Sequence, residues 1–123
     1  MLTETVREFD GLDIETPTGG GTTTVWGDPA HMSLARDRSM CIVHLEIIKI
    51  GSANATVALV AEDSSGRIFG PVPLTAPFSG TAKGVIRVII KDFGANLKFG
   101  VSITRVGVID TATVGLEYCF KNK

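Results

Sequence analysis

The 123-residue chain has little of what small enzymes build their chemistry from: two histidines, two cysteines, one tryptophan and one tyrosine. A catalytic metal centre on a β-scaffold usually draws on two or three histidines and a carboxylate. Here His44 and Glu46 fall on one strand face, while His31 and Asp28 would have to approach from a loop that nothing specifies. His44 is therefore expected to be a half-buried, hydrogen-bonded side chain, and no metal or other cofactor is expected. No serine stands in GxSxG and no glycines stand in GxGxxG, so nucleophilic and phosphate-cradling chemistry have no anchor. Asp92-Phe93-Gly94 spells the magnesium-binding triplet of protein kinases, but the chain is too short for a kinase and lacks the accompanying motifs, so the triplet reads as a hairpin turn. A constellation assembled in space from Asp28, His31, Asp37 or Glu62 is the one route to catalysis left, and the expectation is that the chain is not an enzyme.

Other scarcities bound the partners and the compartment. Twelve basic against 13 acidic residues give a net charge of -1, with no run of Lys and Arg to attract nucleic acid or an anionic membrane. No stretch approaches the roughly 18–20 apolar residues of a membrane helix. The start, MLTETVREFDGLDIE, lacks the basic region and apolar run of a signal peptide, which points to synthesis in a cytosol. Asn54-Ala55-Thr56, a glycosylation sequon, then reads as a turn entering a strand. Two distant cysteines exclude a disulfide-dense scaffold; Cys41 and Cys119 are expected as reduced thiols, with a bridge between them as the alternative.

What the chain does have is strand after strand. Met40–Ile50 is dense in Ile, Val and Leu and ends in the turn residues 51–54. Residues 56–62 follow, with Val57, Leu59 and Ala61 on one face; Asp63-Ser64-Ser65-Gly66 then makes a hairpin loop. Residues 67–74 form a further strand, confined to an edge by Pro71 and Pro73. Residues 85–91, 97–105 and 112–121 complete the series, the last two alternating apolar and polar with a period of two. This spacing predicts one all-β domain over 25–123, an antiparallel β-sandwich, jelly-roll-like, of about six to eight strands. Residues 1–24, with few large apolar residues and the run Gly19-Gly20-Gly21-Thr22-Thr23-Thr24, are expected as an extended arm and a flexible joint, with a disordered tail as the alternative.

Two strands are apolar on both faces. Cys41, Val43, Leu45 and Ile47 lie on one side of the first, with Met40, Ile42, Ile48 and Ile50 on the other beside His44 and Glu46. Residues 85–90 repeat this, interrupted only by Arg87. A sandwich strand normally turns one face to water, so a second apolar face calls for a cover: the arm, a loop or another subunit. Charged residues at 20 %, against roughly 25 % in average domains, point the same way. The residues expected at an interface are Val6, Phe9, Leu12 and Ile14 of the arm, Trp26, Arg36 and Arg38 of the cluster Arg36-Asp37-Arg38, then Ile48, Ile50 and Arg87. A carbohydrate- or ligand-binding sandwich is the alternative, with Trp26 as a stacking platform.

The arm, the Gly/Thr joint at 19–24 and the Val/Ile-rich sandwich over 40–121 resemble the small capsid decoration or cement proteins of tailed phages. The likeness spans the chain as architecture and carries no motif, so no functional residue transfers. It implies a homo-oligomer, a homotrimer above all, that sits on a capsid shell in the viral particle and staples neighbouring subunits through its arm.

Overall fold

Branched and aromatic side chains at every second position fold as strands because a pleated backbone turns successive side chains to opposite faces. The computed structural model describes residues 4–28, 40–52, 54–63, 68, 69, 78, 79, 84–91 and 97–121. Among them run β1 (Glu4–Glu15), β2 (Gly21–Trp26), β3 (Met40–Ile50), β4 (Thr56–Asp63), β5 (Ile68–Phe69), β6 (Phe78–Ser79), β7 (Gly84–Lys91), β8 (Leu97–Arg105) and β9 (Thr111–Lys121). One sheet has the order β1-β9-β3-β7 and the other β2-β8-β4-β5, with β6 beside β4. Every pairing is antiparallel. β1 to β4 alternate between the sheets, as do β7 to β9, which is the wrapping of a jelly roll. The expected antiparallel β-sandwich is what forms. The cluster at 36–38, His31, the Asp92-Phe93-Gly94 triplet, the 64–66 turn and both edge prolines lie outside the described residues.

The core sits between the sheets and follows the predicted parity. Cys41, Val43, Leu45 and Ile47 of β3 face Val57, Leu59 and Ala61 of β4 and Leu97, Phe99, Val101 and Ile103 of β8, all essentially without exposure. Val114, Leu116, Tyr118 and Phe120 of β9 join them. Phe99 packs on Tyr118 with ring centroids 4.4 Å apart, and Phe120 meets Tyr118 edge-on at 5.6 Å. Cys119 stands opposite Ile42, one residue out of phase with inward Cys41, so the two thiols point to opposite faces of the sheet and both are free. Burial pushes the Cys41 thiol far above the usual range, keeping it neutral.

The segment expected as arm and joint lies within the sheets. β1 pairs with β9 from Glu4↔Phe120 to Glu15↔Thr111, and β2 pairs with β8 from Gly21↔Arg105 to Trp26↔Gly100. Val6, Phe9 and Leu12 pack on the core and Ile14 is buried in it, turned toward their own domain. Their spacing of three, three and two hid the strand. Register shifts at Arg7/Phe9 and Asp10/Leu12 each insert one residue, so inward positions recur every third residue across a bulge. Gly11, with φ +74°, occupies the second bulge. The triple glycine is a required close approach: the Gly20 N–H donates to the Pro17 carbonyl at 2.9 Å, and a Cβ on Gly20 would stand 2.4 Å from the Gly107 nitrogen.

Candidate assembly surface

The two outer faces differ. On the β2-β8-β4-β5 sheet, the outward Ala58, Val60 and Ser102 are buried. Trp26 lies over the bare backbone of Gly100, where a Cβ would come within 2.8 Å of its ring, and Lys98 places its ammonium 4.5 Å from the ring centroid. The Trp26 ring is thus half-buried against its own sheet.

The outer face of the β1-β9-β3-β7 sheet is open and is built of cross-strand rungs. One runs Arg7, Glu117, His44, Arg87; the next Gly115, Glu46, Val85; a third Cys119, Ile42, Ile89. Arg7 donates to Glu117 Oε2 at 3.0 Å and to Asp10 Oδ1 at 2.9 Å; these carboxylates, Asp10 foremost, hold its guanidinium pKa above the usual value. Gly115 leaves a hollow of about 300 Å³ bordered by Arg7, His44, Glu46, Val85 and Glu117. A second hollow, about 340 Å³, lies between Glu46, Ile47, Ile48, Gly84 and Val85. His44 and Glu46 share this face as predicted, and no group of three potential metal ligands occurs among the described residues.

The apolar surplus of β3 and β7 resolves residue by residue. A register shift between Ile47 and Lys49 turns Ile50 into the core, so Ile50, expected at an interface, is 7 % exposed. Ile42 is shielded between Cys119 and Ile89, and Ile48 is half-buried. Val85 and Ile89, by contrast, are 58 % and 51 % exposed. They stand with exposed Arg87 and Lys91 on β7, an edge strand whose second side has no partner strand among the described residues. An edge of this kind offers unpaired N–H and C=O groups to another chain.

Sequence reasoning missed two further features. Val106, Val108 and Ile109, in the β8–β9 loop, are 88 %, 48 % and 46 % exposed. The base of this loop is clamped by polar groups from four separate chain segments. Thr16 and Asp110 exchange hydrogen bonds: Thr16 N–H to the Asp110 carbonyl at 2.9 Å and Asp110 N–H to Thr16 Oγ1 at 2.7 Å. Asp110 Oδ2 accepts from the Ser52 hydroxyl at 2.5 Å and from Arg105 at 3.2 Å, and Oδ1 accepts from the Thr111 N–H at 2.9 Å. The Ser52 bond above all holds the Asp110 carboxyl below the ordinary carboxylate range. At the other end Glu8, the residue inserted at the first β1 bulge, accepts from Tyr118 OH at 2.9 Å and from the Asp28 N–H at 3.1 Å. No pattern in the sequence joins these partners.

No family model and no curated protein matches the sequence. Likeness is found in solved structures, and it is a likeness of fold at low identity. The structure of infectious bursal disease virus, Gx strain, matches 97 % of this chain with a TM-score of 0.67 at 8 % identity. The VP2 subviral particle of that virus matches 98 % with a TM-score of 0.55 at 10 % identity, and dimeric latent PorU of Porphyromonas gingivalis matches 98 % with 0.55 at 16 %. The chain spans about a third of the viral chains, 31 % and 33 %, and 13 % of PorU. The likeness is therefore one of fold: the β-sandwich is shared with a part of each of these larger chains.

Proposed function

We propose that this chain is a non-enzymatic structural protein that associates with copies of itself, a trimer above all, and adds to a larger protein shell as a decoration or cement subunit of a virion. The observation that carries this reading is β7, which shows Val85 and Ile89 to solvent along an edge that has no partner strand among the described residues. Cement acts by adding buried interface, which needs apolar area and shape rather than catalytic groups. The apolar tip formed by Val106, Val108 and Ile109 is a second contact, held rigid by the Asp110 clamp, so that little freedom is lost on docking. Fold likeness to chains of the infectious bursal disease virus and of its VP2 subviral particle supports the reading.

The test is the mass of the purified protein in solution, by light scattering at micromolar concentration, alone and with its native shell. An oligomer that also joins the shell is the expected result. A clean monomer overturns the self-association reading.

A further inference from the structure

The two edges of the open sheet carry opposite charge. On β7, Val85, Arg87, Ile89 and Lys91 are exposed, and neither cation has an ion-pair partner among the described residues. At the far edge, after the second bulge, β1 ends in residues 12–15, where Asp13 and Glu15 are exposed and likewise in no ion pair among the described residues; Asp13 accepts from Thr113 Oγ1 at 2.6 Å. We infer that the occupant of the β7 edge is the β1 edge of a second copy, joined head to tail so that Arg87 and Lys91 of one copy meet Asp13 and Glu15 of the next. This rests on the self-association proposed above and assigns its mode.

A two-fold β7–β7 contact is the obvious rival, and charge disfavours its central registers. The one centred on Val88 sets Arg87 against Ile89 and leaves the two Arg87 side chains diagonal neighbours with no acid facing them; the other two set like charges directly opposite. An antiparallel register that sets Val85 against Ile89 of the other copy sets Arg87 against Arg87. The register that sets Ile89 against Ile89 sets Arg87 against Lys91. Like charges directly opposite each other destabilise an antiparallel pair. The bulges of β1 blunt its N-terminal half for ladder pairing and leave the regular stretch after Leu12 as the part able to receive a strand. A head-to-tail contact uses two different patches, so it leaves no isologous dimer: it closes into a ring where the rotation permits and otherwise extends as a filament. A trimer is one such ring.

The experiment reads mass by sedimentation velocity for four proteins: wild type, Arg87→Glu/Lys91→Glu, Asp13→Lys/Glu15→Lys, and the variant with all four substitutions. All four positions are exposed, and far-UV circular dichroism checks that each protein is folded. Each double variant should weaken association by at least about tenfold, since like charges then face each other, and the fourfold variant, with both edges reversed, should recover it. Recovery is the signature of a heterologous contact. If wild type associates while neither double variant changes its mass, or if the fourfold variant stays dissociated, the edge assignment is wrong and self-association by another surface stands. A monomeric wild type removes both. As a check that needs no variant, raising salt from about 50 to 500 mM should weaken wild-type association; salt-indifferent association counts against the charged contact.

Discussion

Replacing Tyr118 with phenylalanine tests how β1 is held in its own domain. The Tyr118 ring is 1 % exposed and packs 4.4 Å from Phe99, so Tyr118→Phe keeps the packing and opens no cavity. It deletes one hydrogen bond, from Tyr118 OH to Glu8 Oε1 at 2.9 Å. A hydrogen bond to a charged acceptor contributes about 1.5–3 kcal/mol. Glu8 is half-buried and is in part rehydrated when the hydroxyl is gone, which lowers the expectation to about 1–2 kcal/mol. In a domain of this size 1 kcal/mol corresponds to roughly 3–5 °C in Tm, so thermal and urea unfolding both resolve the effect. A double-mutant cycle with Glu8→Ala should return a coupling of about 1 kcal/mol. Burial first, and the bond to Glu8 second, push the Tyr118 hydroxyl pKa well above its ordinary value. The folded protein then keeps a proton that the unfolded chain releases, so this contribution is complete below about pH 10 and is lost as pH rises beyond it. Tyr118→Phe should flatten that alkaline decline. A loss under about 0.3 kcal/mol with an unchanged alkaline limb would refute the lock between β1 and β9.

Two other outcomes follow from the same packing. Removing residues 1–15 strips Ile14 from the core and half-buried Val6, Phe9 and Leu12 from its margin; full burial of such a side chain contributes about 1.5–3 kcal/mol and half burial about half of that, so the sum of about 4–8 kcal/mol is comparable with the 5–15 kcal/mol of a typical domain. The truncated chain should unfold or aggregate, and cooperative melting at the full-length Tm would show that β1 is dispensable. Asp110, with its pKa lowered, contributes stability that is present above about pH 4 and lost as pH falls below it; Asp110→Ala should lower Tm at neutral pH and narrow the gap to wild type in acid, and a gap that stays constant with pH would refute the clamp.

Local alternation was legible wherever the pairing was regular. Met40–Ile50 and Leu97–Arg105 are strands with the boundaries their composition predicts, and the inward faces of β4, β8 and β9 are those that a period of two selects. The free state of Cys41 and Cys119 follows from the same parity once β3 and β9 lie side by side. Three things were not legible. β1 was hidden because two bulges change the spacing of its inward residues, and a bulge is defined by the partner strand. Ile50 was assigned to the surface because a register shift at Ile47/Lys49 reverses its face, again through β9. The Asp110 clamp and the Glu8 lock join residues 94 and 110 positions apart, where no local signal exists.

The chain's pattern of apolar residues therefore determined the fold class, the inward faces and the poverty of catalytic groups, since these depend on side-chain chemistry and on a period of two. Tertiary structure alone decided which apolar residues stay exposed. That depends on which strand ends each sheet, and among the described residues β7 ends one because the jelly-roll wrapping places β3 on a single side of it.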